Sequence, residues 1–306
     1  MKQLRSLAEL LTYAKEVGPK RVSVALAEDA EVLEAVENAR KEGIAECILV
    51  GNTDKMKEIA KGIGIDLSSF QLKDVRGSEA DVALAAVEVV SSGQADILMK
   101  GMISTANFLR GVLNKEKGLR TGSLLSHVYI HEVEGIDRIL FICDPAFNIA
   151  PDLNAKVKII ENTVELAKSF GVEIPKVAAL AAVEVVNPDM PCTIDAAALV
   201  QMNRRNQIKG CVIDGPLALD NALSEEAARH KGIVSEVAGH AEVLLVPDIE
   251  AGNIFAKGIV YLTKNRTAGL VLGAKVPIVL TSRADTAETK LLSIASAVAL
   301  AAYKSA

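Results

Sequence analysis

The strongest constraint on this chain is an alternation. Strand-length apolar runs at 21–27, 45–51 and 95–101 are each followed by a segment with helical spacing. The helix ends are written in the residues too. One segment runs from Asp29 to Gly43 and another from Asn52 to Gly62; a third opens on a Ser78/Asp81 capping box and stops at Gly93. The stretch QLKDV is a candidate third strand. Parallel strands cannot be joined by a tight turn; each needs a crossover, and a helix supplies it. The alternation therefore predicts an α/β fold of mostly parallel sheets with helices on both faces. The pattern breaks at 122–144, where two apolar stretches flank a polar turn at 131–135, so an antiparallel hairpin is expected there. A long helix at 153–170 follows, then strands at 176–182, 210–216, 241–248, 268–274 and 276–280, and a final apolar helix.

The core must be built from small and aliphatic side chains. Half of the 306 residues are hydrophobic, but only 3% are aromatic and there is no Trp. That suits helices on parallel strands and disfavours platforms that stack nucleobases. A net charge of −5 offers no general basic surface to nucleic acid or an anionic membrane, so positive charge for an anionic substrate has to be local. Leu4, Leu7, Leu11 and Ala14 fall at helical spacing among charges, which reads as a first helix and not a signal peptide. The apolar runs are too short or too alanine-rich for a membrane span. Cys47, Cys143, Cys192 and Cys211 show no CxxC spacing, which points to reduced thiols and a cytoplasmic enzyme without a zinc site. The four histidines lack ligand spacing and read as surface or structural residues.

The heptapeptide LAAVEVV occurs at 84–90 and again at 180–186. Its flanks assign the first copy to a helix, between Ser78 and Gly93. The second copy, between Pro175 and Pro188, reads as a strand and its exit loop.

Candidate chemistry collects just after predicted strands, where open parallel sheets bind ligands. Lys100 closes one strand; Ser104 and Thr105 open the next helix, with Arg110 nearly two turns inside it. Asp144 to Asn148 follow another strand, Asp214 follows CVI, and Asp248 precedes Asn253. The last strand leads into Ser282, Arg283, Asp285 and Glu288. A strand that passes directly into a helix offers backbone N–H groups and the positive end of the dipole to an anion. Thr281, Ser282 or Asp285 could serve there as an ordinary cap. Arg283 is harder to explain as a cap residue, because a cation opposes the dipole at a helix N-terminus and needs an anionic partner. There is no GxxxxGK[ST], no clear GxGxxG after a strand and no GxSxG elbow.

MKGMISTANFLRGVL (99–113), DPAFNIAPD (144–152), CVIDGPLALDNAL (211–223), VPDIEAGNIFAKG (246–258) and LTSRADTAETKL (280–291) together resemble the phosphate acetyl/butyryltransferase family over nearly the whole chain. The resemblance implies reversible transfer of a short-chain acyl group between coenzyme A and inorganic phosphate. These are substrates, and neither a cofactor nor a metal is implied. It also implies a homodimer and a two-domain fold like that of isocitrate and isopropylmalate dehydrogenases. Residues 1–130 plus 275–306 would then form the first domain, with 131–274 inserted as the second. Ser282, Arg283 and Arg110 match the family's phosphate-side residues, and Arg120 matches a third arginine more weakly. The acetyltransferases carry an acid seven residues after that serine; here it is Thr289, so the base is Glu288 or Asp285. SRADTAET resembles the butyryl branch; acetyl transfer is the near alternative, and a metal-dependent dehydrogenase using Asp214, Asp220 and Asp248 the distant one.

Arg283→Ala should leave the fold intact and lower kcat/KM by roughly two to three orders of magnitude, about 2–4 kcal/mol of transition-state stabilisation. Arg283→Lys should also be impaired, since a point charge does not replace a planar fork. Steady-state kinetics near those of the native chain in both variants would remove Arg283 from the site.

Overall fold

The computed structural model describes residues 2–282 and 285–305. Among them the strands are β1 (Lys20–Ala25), β2 (Ala45–Gly51), β3 (Gln71–Asp74), β4 (Ile97–Lys100), β5 (Ser126–Val133), β6 (Leu140–Cys143), β7 (Lys176–Leu180), β8 (Val212–Leu217), β9 (Val243–Leu245), β10 (Asn265–Leu272) and β11 (Ile278–Val279). The chain divides into two compact units. A terminal unit holds Ala8–Ser123 and Ala268–Ala306, and a central unit holds Met1–Leu7 and Leu124–Thr267.

In the terminal unit the strand order is β3-β2-β1-β4-β11-β10. All these pairings are parallel except that of β11 with β10. β1 lies between strands that follow it by different routes: Val22 pairs with Cys47 on one side and Ile97 on the other. The order of strands therefore reverses between β1 and β4, the position at which open α/β sheets leave a crevice at their carboxyl ends. Strands buried on both faces read as continuous apolar runs, and β4 is buried throughout. The helix Ala287–Ser305 packs its Leu292, Ile294, Val298 and Leu300 inside this unit.

In the central unit the order is β5-β6-β9-β7-β8. β5 and β6 form the expected antiparallel hairpin, and the remaining pairs are parallel. The helix Leu153–Ser169 buries Ile159, Ile160, Val164 and Leu166. The two copies of LAAVEVV separate as their flanks predict. The first lies in the helix Glu79–Ser91, opened by a reciprocal Ser78/Asp81 capping box; the second ends β7 at Leu180 and continues as irregular chain.

Three local expectations change. The polar turn does not begin at His131, because β5 continues through Val133 and pairs His131 with Leu140. The last strand is only Ile278–Val279, and the final helix begins at Ala287, so strand and helix are not directly joined. In the first helix, Leu7–Val17, the buried stripe is Leu7, Leu10 and Ala14, with Leu11 only partly covered.

Placing His131 inside β5 has an energetic consequence. Its ring is fully buried, and neither ring nitrogen has a hydrogen-bond partner among the described residues. Burial, with a smaller contribution from His127, pushes its pKa down from 6.5 to about 4. Below pH 6.5 the unfolded chain takes up a proton that the native chain refuses until about pH 4. Stability should therefore fall as pH drops through this window, by roughly 3 kcal/mol in total. Urea unfolding at a series of pH values should show this loss, and His131→Leu should remove most of it. An unchanged acid dependence in that variant would show that His131 is not its source.

Candidate active site

The carboxyl ends of β1 and β4 are drawn together by their own backbone. Gly101 N–H donates to Ala25 O at 2.8 Å, and Met102 N–H donates to Leu26 O at 3.0 Å. Leu26 adopts a left-handed φ of 57°. A Cβ at position 101 would lie 2.3 Å from Leu26 O, so this approach admits only glycine. Lys100, the last residue of β4, is only 4% exposed, and its Nζ donates to Gly101 O at 3.3 Å.

The loop after β11 reaches the same edge. Ser282 N–H donates to Asp285 Oδ2 at 2.6 Å, and Asp285 N–H donates back to Ser282 O at 3.1 Å. The carboxylate and the turn thus hold each other. None of the three residues proposed from sequence caps the final helix. Thr286 does so, with its hydroxyl accepting from Thr289 N–H at 3.2 Å and its carbonyl from Lys290 N–H. Thr289 is thereby engaged in the cap. Ser282 and Glu288 are exposed and Asp285 is half-buried. Arg283 lies outside the described residues.

Burial raises the Asp285 carboxyl above its ordinary value. The Ser282 N–H and the Lys290 and Lys100 ammonium groups pull it down, whereas Glu31 pushes it up. Lys290 is 3% exposed; its Nζ donates to Asp285 O and pairs with Glu31 Oε2 at 3.0 Å. Lys100, Ser282 and Asp285, all read from sequence, therefore meet here, joined by Lys290 and Glu31, which were not. Lys290 carried a usable signal, since it is a cation in the first turn of a helix, where the dipole opposes it. Glu31 did not, because an acid in a first turn is ordinary.

The helix Thr105–Val112 is anchored differently. Ser104 caps it, and Ser104 Oγ and Asn107 Nδ2 both donate to Glu79 Oε2, at 2.7 and 2.8 Å. Thr105 is exposed in the first turn, and Arg110 is exposed with its guanidinium on Asn107 Oδ1 at 2.8 Å. Arg120 is exposed.

In the central unit the proposed residues have structural tasks. Asp248 caps the helix Ile249–Leu262 by accepting from Ala251 N–H at 2.8 Å. Asn253 donates to Pro145 O at 3.2 Å, and Asn148 donates to Leu125 O at 3.0 Å and to the buried Asp144. Asp214 does not follow a strand. β8 continues to Leu217, with Asp214 paired to Ala178 and accepting from Gly215 N–H at 2.9 Å.

Cys47, Cys143 and Cys211 are not placed as activated nucleophiles. Burial pushes the Cys143 and Cys47 thiols up to about 12 and Cys211 to about 11; Asp144 adds to the rise at Cys143, while Thr163 opposes it. Cys192, partly covered, opens the helix Pro191–Arg204.

The carboxyl-end edge of β4 and β11 thus gathers two buried ammonium groups, an exposed serine and a half-buried carboxylate in a mostly parallel α/β fold. The chain belongs to the phosphate acetyl/butaryl transferase family, whose model matches residues 6–85 and 74–299. It is 52% identical over 298 residues to the phosphate butyryltransferase of Clostridium beijerinckii, covering 97% of this chain and 98% of that one. It is 47% identical over 289 residues to the phosphate acetyltransferase of Thermotoga maritima, covering 94% and 97%. Among solved structures, a branched-chain phosphotransacylase from Enterococcus faecalis V583 matches with a TM-score of 0.81 and 34% identity, covering 92% of this chain and 99% of that one.

A variant with all four cysteines replaced by Ala or Ser should keep substantial turnover, apart from losses through packing. Mass spectrometry of the native chain with acyl-CoA alone should show no acylated peptide. A thioester at Cys143 formed and consumed at the rate of turnover would sink this expectation.

Proposed function

We propose that the chain transfers a short-chain acyl group, butyryl, reversibly between coenzyme A and inorganic phosphate. The observation that carries this reading is the 52% identity to a phosphate butyryltransferase over almost the full length of both chains. Asp285 takes the proton from the coenzyme A thiol. The sulfur attacks the acyl-phosphate carbonyl, the C–S bond forms, and the C–O bond to phosphate breaks with its electron pair left on the phosphate oxygen. Reversal uses the same groups. Asp285 is favoured over Glu288 as base because it is half-buried between Lys100 and Lys290, whereas Glu288 is exposed. Arg110, Arg283 and Lys100 hold the phosphate, and Ser282 donates to the reacting carbonyl or the leaving phosphate. These side chains supply the positive charge, so the proposed chemistry needs neither metal nor cofactor. Holding two substrates at reacting distance contributes a large share of the acceleration.

The dehydrogenase alternative needs acids that converge on a metal. Asp214 sits within β8 and Asp248 caps a helix, and no group of three or more His, Cys, Asp or Glu among the described residues is placed to hold a metal ion. The proposed setting is cytoplasmic, without nucleic acid or membrane partners. Among the described residues no helix is long and apolar enough to cross a membrane. The proposed assembly is a homodimer. Its support is an apolar stripe of Ile254, Tyr261 and Leu262, all strongly exposed on one face of the helix Ile249–Leu262. The same helix lends Ala251 and Phe255 to an apolar cavity of about 380 Å³.

Thiol release from acyl-CoAs of two to six carbons, with and without phosphate, tests the reading. Release should require phosphate, and butyryl-CoA should exceed acetyl-CoA in kcat/KM by about tenfold or more, since each methylene in an apolar pocket is worth about 1–3 kcal/mol. Preference for acetyl-CoA would make the chain an acetyltransferase; NAD reduction with hydroxy acids and magnesium, without thiol release, would overturn the proposal.

A further inference from the structure

Lys290 occupies an electrostatically costly position at the terminal-unit edge, and its contacts explain the cost. It sits in the first turn of a 19-residue helix, where the dipole opposes a cation, and it is 3% exposed. Its ammonium is compensated from two other elements. Glu31, in the first turn of the helix Ala30–Lys41, accepts at 3.0 Å, and the Asp285 carbonyl accepts from the loop after β11. The Asp285 carboxylate in turn accepts the Ser282 N–H. One buried ammonium thus ties the helix after β1, Asp285 and the final helix together.

We propose that Lys290 is a positioning residue for the transfer site: its ammonium ties the Asp285 backbone to Glu31 and favours the anionic form of the Asp285 carboxyl. This deepens the acyltransferase reading, in which Asp285 accepts the thiol proton, and it rests on that reading for its catalytic meaning. The charged groups acting on Asp285 among the described residues are Lys290, Lys100 and Glu31. Burial and Glu31 favour the neutral acid, whereas the two lysines and the Ser282 N–H favour the anion. Of the two lysines, Lys290 also bonds the Asp285 backbone directly, whereas Lys100 turns its Nζ to Gly101 O. Removing the Lys290 charge leaves Lys100 and the Ser282 N–H to oppose burial and Glu31. The carboxyl then protonates at higher pH, where it can no longer accept a thiol proton.

A ¹³C NMR titration of the Asp285 carboxyl, assigned by its loss in Asp285→Asn, tests this in the native chain, Lys290→Met and Lys290→Arg. The midpoint should rise by about one pH unit or more in Lys290→Met, the size of effect expected for one nearby opposite charge. It should stay near the native value in Lys290→Arg, even if the longer side chain lowers kcat by disturbing the turn. The acid limb of the kcat–pH profile should move with the midpoint, which a merely structural role for Lys290 does not predict. Lys290→Gln keeps a donor for the Asp285 carbonyl without the charge and should show the same rise, which keeps the test open if the Met variant does not fold. A midpoint unchanged in a folded Lys290→Met or Lys290→Gln overturns the proposal. The titration needs no turnover, so failure of the native chain to transfer acyl groups would count separately, against the acyltransferase reading.

Discussion

The terminal unit depends on the backbone seam between the chain leaving β1 and the chain leaving β4. Two N–H groups of one segment bond two carbonyls of the other just beyond the paired strands. The seam requires a residue without a side chain at 101 and a left-handed residue at 26. It also determines where Lys100 emerges, and with it the floor of the crevice. Register in a sheet is set by burial of alternate side chains, and a slip of one residue would exchange every inward and outward group. β4 is buried on both faces, so its register is held by its paired backbone and by the Gly101 approach rather than by alternation.

On this scaffold the electrostatics follow from scarcity. A chain of net charge −5 handling an anion must concentrate positive charge locally, and it does so where burial makes each charge felt. Lys100 and Lys290 are nearly inaccessible, and Asp285 and Glu31 face them. Neither sign is buried alone, consistent with the large cost of an unpaired buried charge. Ser282 and Asp285 hold each other by reciprocal hydrogen bonds.

In the central unit the motif segments also supply structural hydrogen bonds. Asp144, Asn148, Asp248 and Asn253 stand in motif segments, yet their side chains hold turns and caps. Gly252 explains one such constraint, since a Cβ there would lie 2.7 Å from Val246 Cγ2 and 3.0 Å from Pro145 Cα. Close packing of this helix against the loop after β6 is enough to require the motif's glycine.

The sequence by itself determined what depends on neighbours along the chain. Helix ends marked by Ser78, Asp81 and Gly93, the strand–helix alternation, the 126–143 hairpin and the two fates of LAAVEVV were all legible, because caps, turns and flanking prolines act over a few residues. Of the edge cluster, Lys100, Ser282 and Asp285 were legible as polar residues following strands. What only the tertiary structure decided depends on contacts made at long range. Glu31 meets Lys290 across 259 positions, and His131 is buried because β5 runs past the polar residues that resemble its turn. Asp214 continues a strand because β7 pairs beside it. Local sequence cannot register these outcomes, since each is the free energy of a contact whose partner is brought near only by the completed fold.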